Sequence, residues 1–216
     1  MGRTVIGALV AAGACAIVAL GAYGNGGTGE SDTPPAHAFD AVGALPLVER
    51  VLRSGDLAMM VRTSPPTVTA GADAWAAGEG LQPGAIANEA DRLTALGFVE
   101  GVDENLKTPG NGDRFGLSLV ERFASPGAAK AELQHVAGPG TGWTYFAVTG
   151  IPSARGFESG GGSRYGGRNV AFTDGSFYYL VGAGWSRAKA ADKVSRAGVI
   201  AAARLLYGRV RGHAIL

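Results

Sequence analysis

The chain has 216 residues, 36 of them glycine, with 17% charged residues and a formal net charge of +1. A net charge this close to zero gives no global reason to expect a polyanion, so no nucleic-acid partner is predicted. The single cysteine, Cys15, lies in an apolar N-terminal stretch, so the rest of the chain has neither a thiol nor a disulfide.

The N-terminal stretch has a basic start at Arg3 and an uncharged apolar run over residues 5–22. This pattern is typical of an export signal, and its length also reaches the lower limit for spanning a bilayer. We therefore predict a signal peptide or an N-terminal membrane anchor over residues 1–23. Whether this segment is cleaved, and whether Cys15 is lipidated or is one more small apolar residue, both stay open.

A polar, Gly/Pro-rich stretch over residues 24–38 cannot bury a core and is predicted to be a linker. Residues 39–212 are then expected to form a single α+β extracytoplasmic domain. The protein is accordingly predicted to be exported, either secreted or anchored in the cell membrane and facing outside.

Within the domain, the first predicted element is a helix from Pro46 to about Gly55, followed by a strand over residues 57–62. Residues 67–82 are expected to be loop. A second helix fits residues 83–96, since Gly97 followed by Phe98 has the form of a left-handed C-cap. A short strand is expected over residues 98–102.

The next segment contains a predicted loop, a strand and a helix. After the loop at residues 103–113, the apolar residues Phe115, Leu117 and Leu119 alternate with polar or small ones, which predicts a half-buried strand. Ser125 as N-cap and Pro126 at the first helical position predict a helix that ends at Gly138, and residues 143–149 predict another strand.

The strongest local signal is a β-hairpin over residues 169–186, because two β-prone runs flank the pair Asp174 and Gly175. This hairpin is expected to form the centre of the sheet. Alternation places Phe177 and Tyr179 on one face and Tyr178 and Leu180 on the other.

A final amphipathic helix over residues 188–205 is expected to cover one face of the sheet. The residues predicted to face the sheet are Ala191, Val194, Gly198, Ala201 and Leu205. The opposite side is basic, with Lys189, Lys193, Arg196 and Arg204. Such a basic side either contacts anionic lipid headgroups or is simply a solvated face. The order of elements predicts an α+β fold in which an antiparallel β-sheet packs against helices, with an N-terminal apolar leader helix.

No catalytic motif is present: the sequence has no G-x-S-x-G elbow, no phosphate-binding G-x-x-x-x-G-K-[ST] loop and no HExxH. The histidines His37, His135 and His213 have no metal-binding spacing. We therefore predict no catalytic residues, no metal site and no cofactor.

Aromatic residues concentrate in the predicted sheet, and they are interpreted either as core or as the lining of a pocket between the sheet and the last helix. The predicted ligand-binding residues are Trp143, Tyr145, Tyr178 and Trp185. A second candidate is an anion site at the Gly-rich segment 160–167, formed by Arg164 and Arg168. The alternative for that segment is a flexible loop between strands.

The hairpin residues from Asp174 to Tyr179, followed by an amphipathic C-terminal helix, resemble the closing unit of the Mog1/PsbP-like fold. The whole chain, with its leader, linker and Ala/Gly/Arg-rich domain, resembles uncharacterised exported proteins of actinobacteria. This resemblance implies a binding or assembly module rather than an enzyme.

Two functions follow from these observations. The first is a non-catalytic exported or membrane-anchored domain that binds a hydrophobic small molecule or a cell-envelope protein. The alternative is a cell-envelope hydrolase or transferase whose site is not visible as a motif, assembled from scattered acids such as Asp103, Glu104 and Asp113.

Overall fold

The structure is a computed structural model that describes residues 45–139, 142–159, 165–186 and 194–212. The predicted leader, the linker and Cys15 lie outside the described residues, as do Arg164, Lys189 and Lys193.

The described part of the chain contains a short 3-10 helix, Leu47–Glu49, followed by eight strands and four α-helices. In chain order these are β1 (Val61–Arg62), β2 (Thr67–Ala70), α1 (Ala72–Gly78), α2 (Pro83–Ala95), β3 (Phe98–Thr108), β4 (Asn111–Phe123), α3 (Pro126–Ala137), β5 (Thr144–Phe146), β6 (Arg155–Ser159), β7 (Tyr165–Asp174), β8 (Phe177–Ser186) and α4 (Arg196–Val210). No helix in these ranges is long and apolar enough to cross a membrane.

The strands form one antiparallel sheet in the order β1-β3-β4-β8-β7-β6-β5, and β2 also pairs with β3. The prediction of an α+β fold with an antiparallel sheet against helices is thereby confirmed. The hairpin of β7 and β8 lies at the centre of the sheet, as expected. Its turn is shifted by one residue from the prediction, because Asp174 pairs with Phe177 and the central turn residues are Gly175 and Ser176. Gly175 takes the positive φ of 58°, which glycine adopts without steric cost.

Helices cover both faces of the sheet. On the first, the α4 face, the strands bury Val102, Val120, Phe172, Tyr179 and Val181 against α4 and the segment that precedes β1. On the second, the α3 face, they bury Leu119, Phe123, Phe157, Tyr178 and Leu180 among residues of α1, α2 and α3. The predicted alternation of the β8 side chains is therefore confirmed. Strand β4 is buried on both faces rather than half-buried, since Ser118 and Val120 are fully buried on the α4 face.

Two predicted helices are confirmed together with their ends. Helix α2 has Pro83 in its first turn, and Gly97, with a φ of 71°, follows its C-cap. Helix α3 begins after Ser125, whose hydroxyl accepts a hydrogen bond from the Ala128 backbone N–H at 3.2 Å. Both local signals act through backbone groups at the helix end, and they identified those ends correctly.

The predictions for residues 46–82 were wrong in several places. The first helix is only the 3-10 turn Leu47–Glu49, and the strand predicted at 57–62 is reduced to the two residues of β1. The predicted loop at 67–82 contains β2 and α1. Trp75 anchors α1 to the sheet, because its buried ring packs on Phe98 with ring centroids 5.6 Å apart.

Strand β3 also extends six residues beyond the predicted strand end at residue 102, through most of the predicted loop 103–113. Asp103 and Glu104 are therefore neighbours in a strand and lie on opposite faces of the sheet. They do not converge, so the acids named for the alternative enzyme function do not form one site. The side chain of Asp113 is not among those described.

Helix α4 turns a different side toward the sheet from the one predicted. Its buried residues are Val199, Ala202, Ala203, Leu206 and Gly208, whereas Ala201 and Leu205 are exposed. The α-helix starts only at Arg196, with Ser195 as its N-cap, so Val194, which was used to choose the predicted face, precedes the helix and does not define a face of it.

Candidate functional site

A cavity opens on the α3 face, between the sheet and helices α1, α2 and α3. It offers about 90 Å³ to the centres of water molecules and contains about 950 Å³ of empty space when the open solvent at its mouth is included. This is room for a small organic molecule. On the α4 face, where the sequence predicted a pocket, Ala202, Ala203 and Leu206 are fully buried against the sheet.

The floor of the cavity is the ladder between β4 and β8. Four successive pairs on the α3 face line it: Glu121 with Tyr178, Leu119 with Leu180, Leu117 with Gly182 and Phe115 with Gly184. The row runs over six residues of strand, roughly 20 Å, because a strand rises about 3.3 Å per residue. The cavity therefore has a polar end at Glu121 and Tyr178 and an apolar end at Phe115 and Gly184.

The apolar end contains two glycines and aromatic rings, and the polar side chains of Ser159 and Asn169 also line it. Gly182 and Gly184 have no side chain opposite Leu117 and Phe115, and the amide oxygen of Asn169 lies against the position that a Cβ on Gly182 would take. Trp143 lines the cavity, and its ring packs against that of Phe157 with centroids 5.3 Å apart. The Trp143 indole N–H donates to the backbone carbonyl of Val136 at 3.1 Å, which fixes the indole plane to the end of α3.

The polar end contains two buried atoms without a hydrogen-bond partner among the residues that the structure describes: Oε2 of Glu121 and Oη of Tyr178. Both side chains are almost fully buried, at 3% and 1% exposed. The other carboxylate oxygen of Glu121, Oε1, accepts a hydrogen bond from the Trp75 indole N–H at 2.8 Å. A buried polar group without a partner costs about 1–3 kcal/mol, so a ligand that supplies the missing hydrogen bonds would gain from binding here.

Other acids surround this end. Burial, and then the negative charges of Glu132 and Glu79, raise the pKa of Glu121 well above its usual range. Burial, and then the charges of Glu89 and Glu132, raise the pKa of Glu79 to about 8. Burial also lowers the pKa of His135, and the Arg92 guanidinium lowers it further, which favours the neutral imidazole.

Arg92 on α2 braces the helices that roof the cavity. Its Nη1 lies 2.5 Å from Oε2 of Glu132 on α3, and its Nη2 lies 2.5 Å from Oε1 of Glu89 on its own helix. The guanidinium therefore binds two carboxylates. Of the four carboxyl groups that line the cavity, Glu79 and Glu121 form no ion pair within the described ranges.

The structure brings together two of the four predicted ligand-binding residues. Trp143 and Tyr178 both line the cavity. Tyr145 lies on the edge strand β5, is 44% exposed, and donates a hydrogen bond to the carbonyl of Gly138. Trp185 is buried on the α4 face, with the Arg168 guanidinium carbon 5.2 Å from its ring centroid. Neither Tyr145 nor Trp185 lines the cavity.

Of the predicted anion site, only Arg168 falls within the described residues. Its guanidinium forms an ion pair with Glu158 at 2.9 Å and donates to the carbonyl of Val194 at 2.6 Å. Arg196, from the predicted basic side of the last helix, pairs with the same carboxylate at 2.5 Å, and Arg204 donates to the carbonyl of Thr149 at 2.7 Å. These basic side chains are thus held by groups of the protein itself. Anion and lipid binding stay predictions.

Five charged residues that line the cavity were not predicted from the sequence: Glu79, Glu89, Arg92, Glu121 and Glu132. A signal for Glu121 was present, because Phe115, Leu117 and Leu119 define one face of β4 and Glu121 is the next position on that face. An acid in phase with a buried row is unusual, since burying a charge without a partner is costly. No comparable local signal points to Glu79, which approaches the site only through the packing of α1.

No group of three or more His, Cys, Asp or Glu in the described ranges is arranged to hold a metal ion.

Comparison with known proteins gives few matches to this chain. No family model matches it, and no curated protein matches it. Among solved structures, the crystal structure of the extracellular domain of PknH from Mycobacterium tuberculosis is similar in part, with 18% sequence identity and a TM-score of 0.40. The match covers 69% of this chain and 79% of that one. A similarity at this level does not indicate a function. The resemblance to the Mog1/PsbP-like fold stays a prediction.

Proposed function

We propose that the protein is a non-catalytic exported domain that binds a small, largely apolar molecule in the cavity on the α3 face. The observation that carries the proposal is the pairing of an open apolar channel with unpartnered buried polar atoms at one end. Ligand sites commonly combine apolar walls with a few fixed polar groups. Export rests on the apolar N-terminal segment of the sequence, which also provides for a membrane anchor or a secreted form.

The floor of the cavity supports a binding role because it is held rigidly. Its strands β4 and β8 are central strands, each hydrogen-bonded on both sides, and Tyr178 and Leu180 are anchored in the core. A ligand would therefore enter a preformed site and would cost little protein ordering on binding.

Native mass spectrometry of the full chain, purified gently from an actinobacterial host, tests the proposal. We expect an additional mass that extracts into organic solvent. The matched variants are Leu117→Trp, which places an indole in the cavity, and Val68→Trp, which adds the same ring at an exposed position on β2. The additional mass should persist in Val68→Trp and be lost in Leu117→Trp. A clean apo mass for the wild-type protein would instead favour an envelope protein as the partner.

A second candidate, a hydrolase or transferase of the cell envelope, is favoured by the titratable groups that converge in the cavity. A carboxyl group whose pKa is about 8, as for Glu79, is suited to donate a proton near neutral pH. Chromogenic glycosides and esters would test this function. Turnover that is abolished in Glu79→Gln but retained in Glu49→Gln, an exposed glutamate far from the cavity, would support an enzyme.

A further inference from the structure

We infer that the ligand of the α3-face cavity carries a protonated amine, which binds at the polar end between Glu121 and Tyr178. This inference rests on the proposed binding function and names the chemical class of the ligand. A primary or secondary ammonium group on an apolar body fits both ends of the cavity.

Two neighbouring oxygens at the polar end have unused hydrogen-bonding capacity. Oε2 of Glu121 is buried and has no partner in the described part of the chain, and the hydroxyl oxygen of Tyr178 is in the same state. The two residues form a cross-strand pair in the register of β4 and β8, so their side chains lie side by side on the same face. An ammonium group supplies several N–H donors from one atom, so it can donate both to the ionised carboxylate of Glu121 and to the hydroxyl oxygen of Tyr178.

The charge balance points to the same class of ligand. Glu79, Glu89, Glu121 and Glu132 line the cavity, against the single guanidinium of Arg92. Arg92 is already bound by Glu89 and Glu132, so its charge is compensated before a ligand arrives. His135 is the remaining titratable side chain of the roof, and Asp103 acts on Glu79 from β3. A cation is therefore the ligand group that would favour the ionised forms of Glu79 and Glu121, whose pKa values burial and the neighbouring carboxylates raise.

Binding of a cation also has a proton linkage with a definite sign. Burial and neighbouring carboxylates raise the pKa of Glu79 to about 8, so Glu79 holds a proton near neutral pH, and they raise the pKa of Glu121 in the same direction. An ammonium group nearby favours their ionised forms. An amine should therefore release protons from the protein when it binds, whereas a neutral ligand of the same shape should not.

Three probes that share one apolar body test the inference: phenylbutylamine, phenylbutanol and phenylbutyrate. Isothermal calorimetry on the full chain should show the amine binding at least tenfold more tightly than the alcohol, with the carboxylate weakest. Titrations in two buffers of different ionisation enthalpy should show proton release for the amine only. Equal binding of amine and alcohol would overturn the inference while leaving the proposed cavity function intact. If no probe binds, both fail.

Two variants locate the ammonium group. Glu121→Gln keeps the shape of the side chain and should reduce amine affinity to the level of the alcohol without changing alcohol binding. Glu104→Gln is the matched control, because Glu104 is an equally buried acid on the opposite face, with its Oε2 3.3 Å from Nε of Arg62. Tyr178→Phe gives the same test if Glu121→Gln does not fold. Amine binding that is unchanged in Tyr178→Phe and Glu121→Gln would contradict the inference.

Discussion

Two consecutive tyrosines of β8 give the sharpest test of the structure. Tyr178 and Tyr179 are both almost fully buried, on opposite faces of the sheet. The hydroxyl of Tyr179 accepts a hydrogen bond from Nη1 of Arg50 at 2.9 Å, whereas that of Tyr178 has no partner within the described residues. The substitutions Tyr178→Phe and Tyr179→Phe remove the same atom from each, so each serves as the control of the other.

The two substitutions should change stability in opposite directions. An unsatisfied buried hydroxyl costs about 1–3 kcal/mol, so Tyr178→Phe should raise the free energy of unfolding by about 1 kcal/mol. Tyr179→Phe loses a hydrogen bond to a charged donor and should lower it by about 2 kcal/mol. The stacking of Tyr179 on Phe172, with centroids 4.7 Å apart, survives the change and limits the loss.

Urea unfolding at neutral pH, followed by circular dichroism, measures both values, and an unchanged m-value would show that the unfolded state is unaffected. A loss in Tyr178→Phe equal to that in Tyr179→Phe would refute the reasoning, because it would mean that the Tyr178 hydroxyl is satisfied. Together with the amine titration, a Tyr178→Phe protein that is more stable yet binds less tightly would separate a binding role from a structural one.

Three further predictions concern stability. Arg196, and then Arg168, lower the pKa of Glu158 to about 2. The ionised Glu158 therefore stabilises the folded protein above its ordinary pKa of about 4.5, and this contribution is lost as the pH falls toward 2. Glu158→Gln should therefore cost about 2 kcal/mol at neutral pH by urea unfolding and nothing near pH 2, and a pH-independent cost would contradict this. Glu79→Gln should gain about 1–2 kcal/mol relative to the wild-type protein as the pH rises from about 5 to 8, because a raised pKa makes ionisation destabilising, and parallel pH curves would contradict it. Gly101→Ala would place its Cβ 2.6 Å from the Trp75 ring and should lower the free energy of unfolding by about 2 kcal/mol, which a lower melting temperature would show. The control is Gly78→Ala, whose Cβ would have nothing within 4 Å and which should not lower the melting temperature.

The features that could be predicted from the sequence are those encoded locally. Ser125 and Pro126 start α3, Gly97 follows the end of α2, and Gly175 forms the hairpin turn, because each residue acts on backbone groups within a few positions of itself. Alternation alone identified the two faces of β8. The central place of the hairpin followed from the length and strength of its two β-prone runs.

The features that could not be predicted depend on distant contacts. Helix α1 is held in place by the contacts of Trp75 with Phe98 and Glu121, and no pattern within residues 67–82 indicates those partners. Likewise, Glu79 lines the cavity only because the tertiary packing of α1 brings it close to β4. Tyr178 and Trp143 were predicted as ligand-binding residues from aromatic content alone. The same criterion also selected Tyr145 and Trp185, because aromatic content does not distinguish a cavity wall from a core or an edge.

The lengths of the strands have a consequence for self-association. The central strands β4, β7 and β8 span 10 to 13 residues, whereas the sheet ends in β5, with three residues, on one side. On the other side, the outer edge of β3 is shared between β1 and β2, with two and four residues. Within the part of the chain that the structure describes, neither border offers a long run of free backbone groups on which a second copy of the chain could extend the sheet. Short edge strands of this kind disfavour edge-to-edge pairing, and β2 is the four-residue segment whose loss would expose the longest stretch of β3.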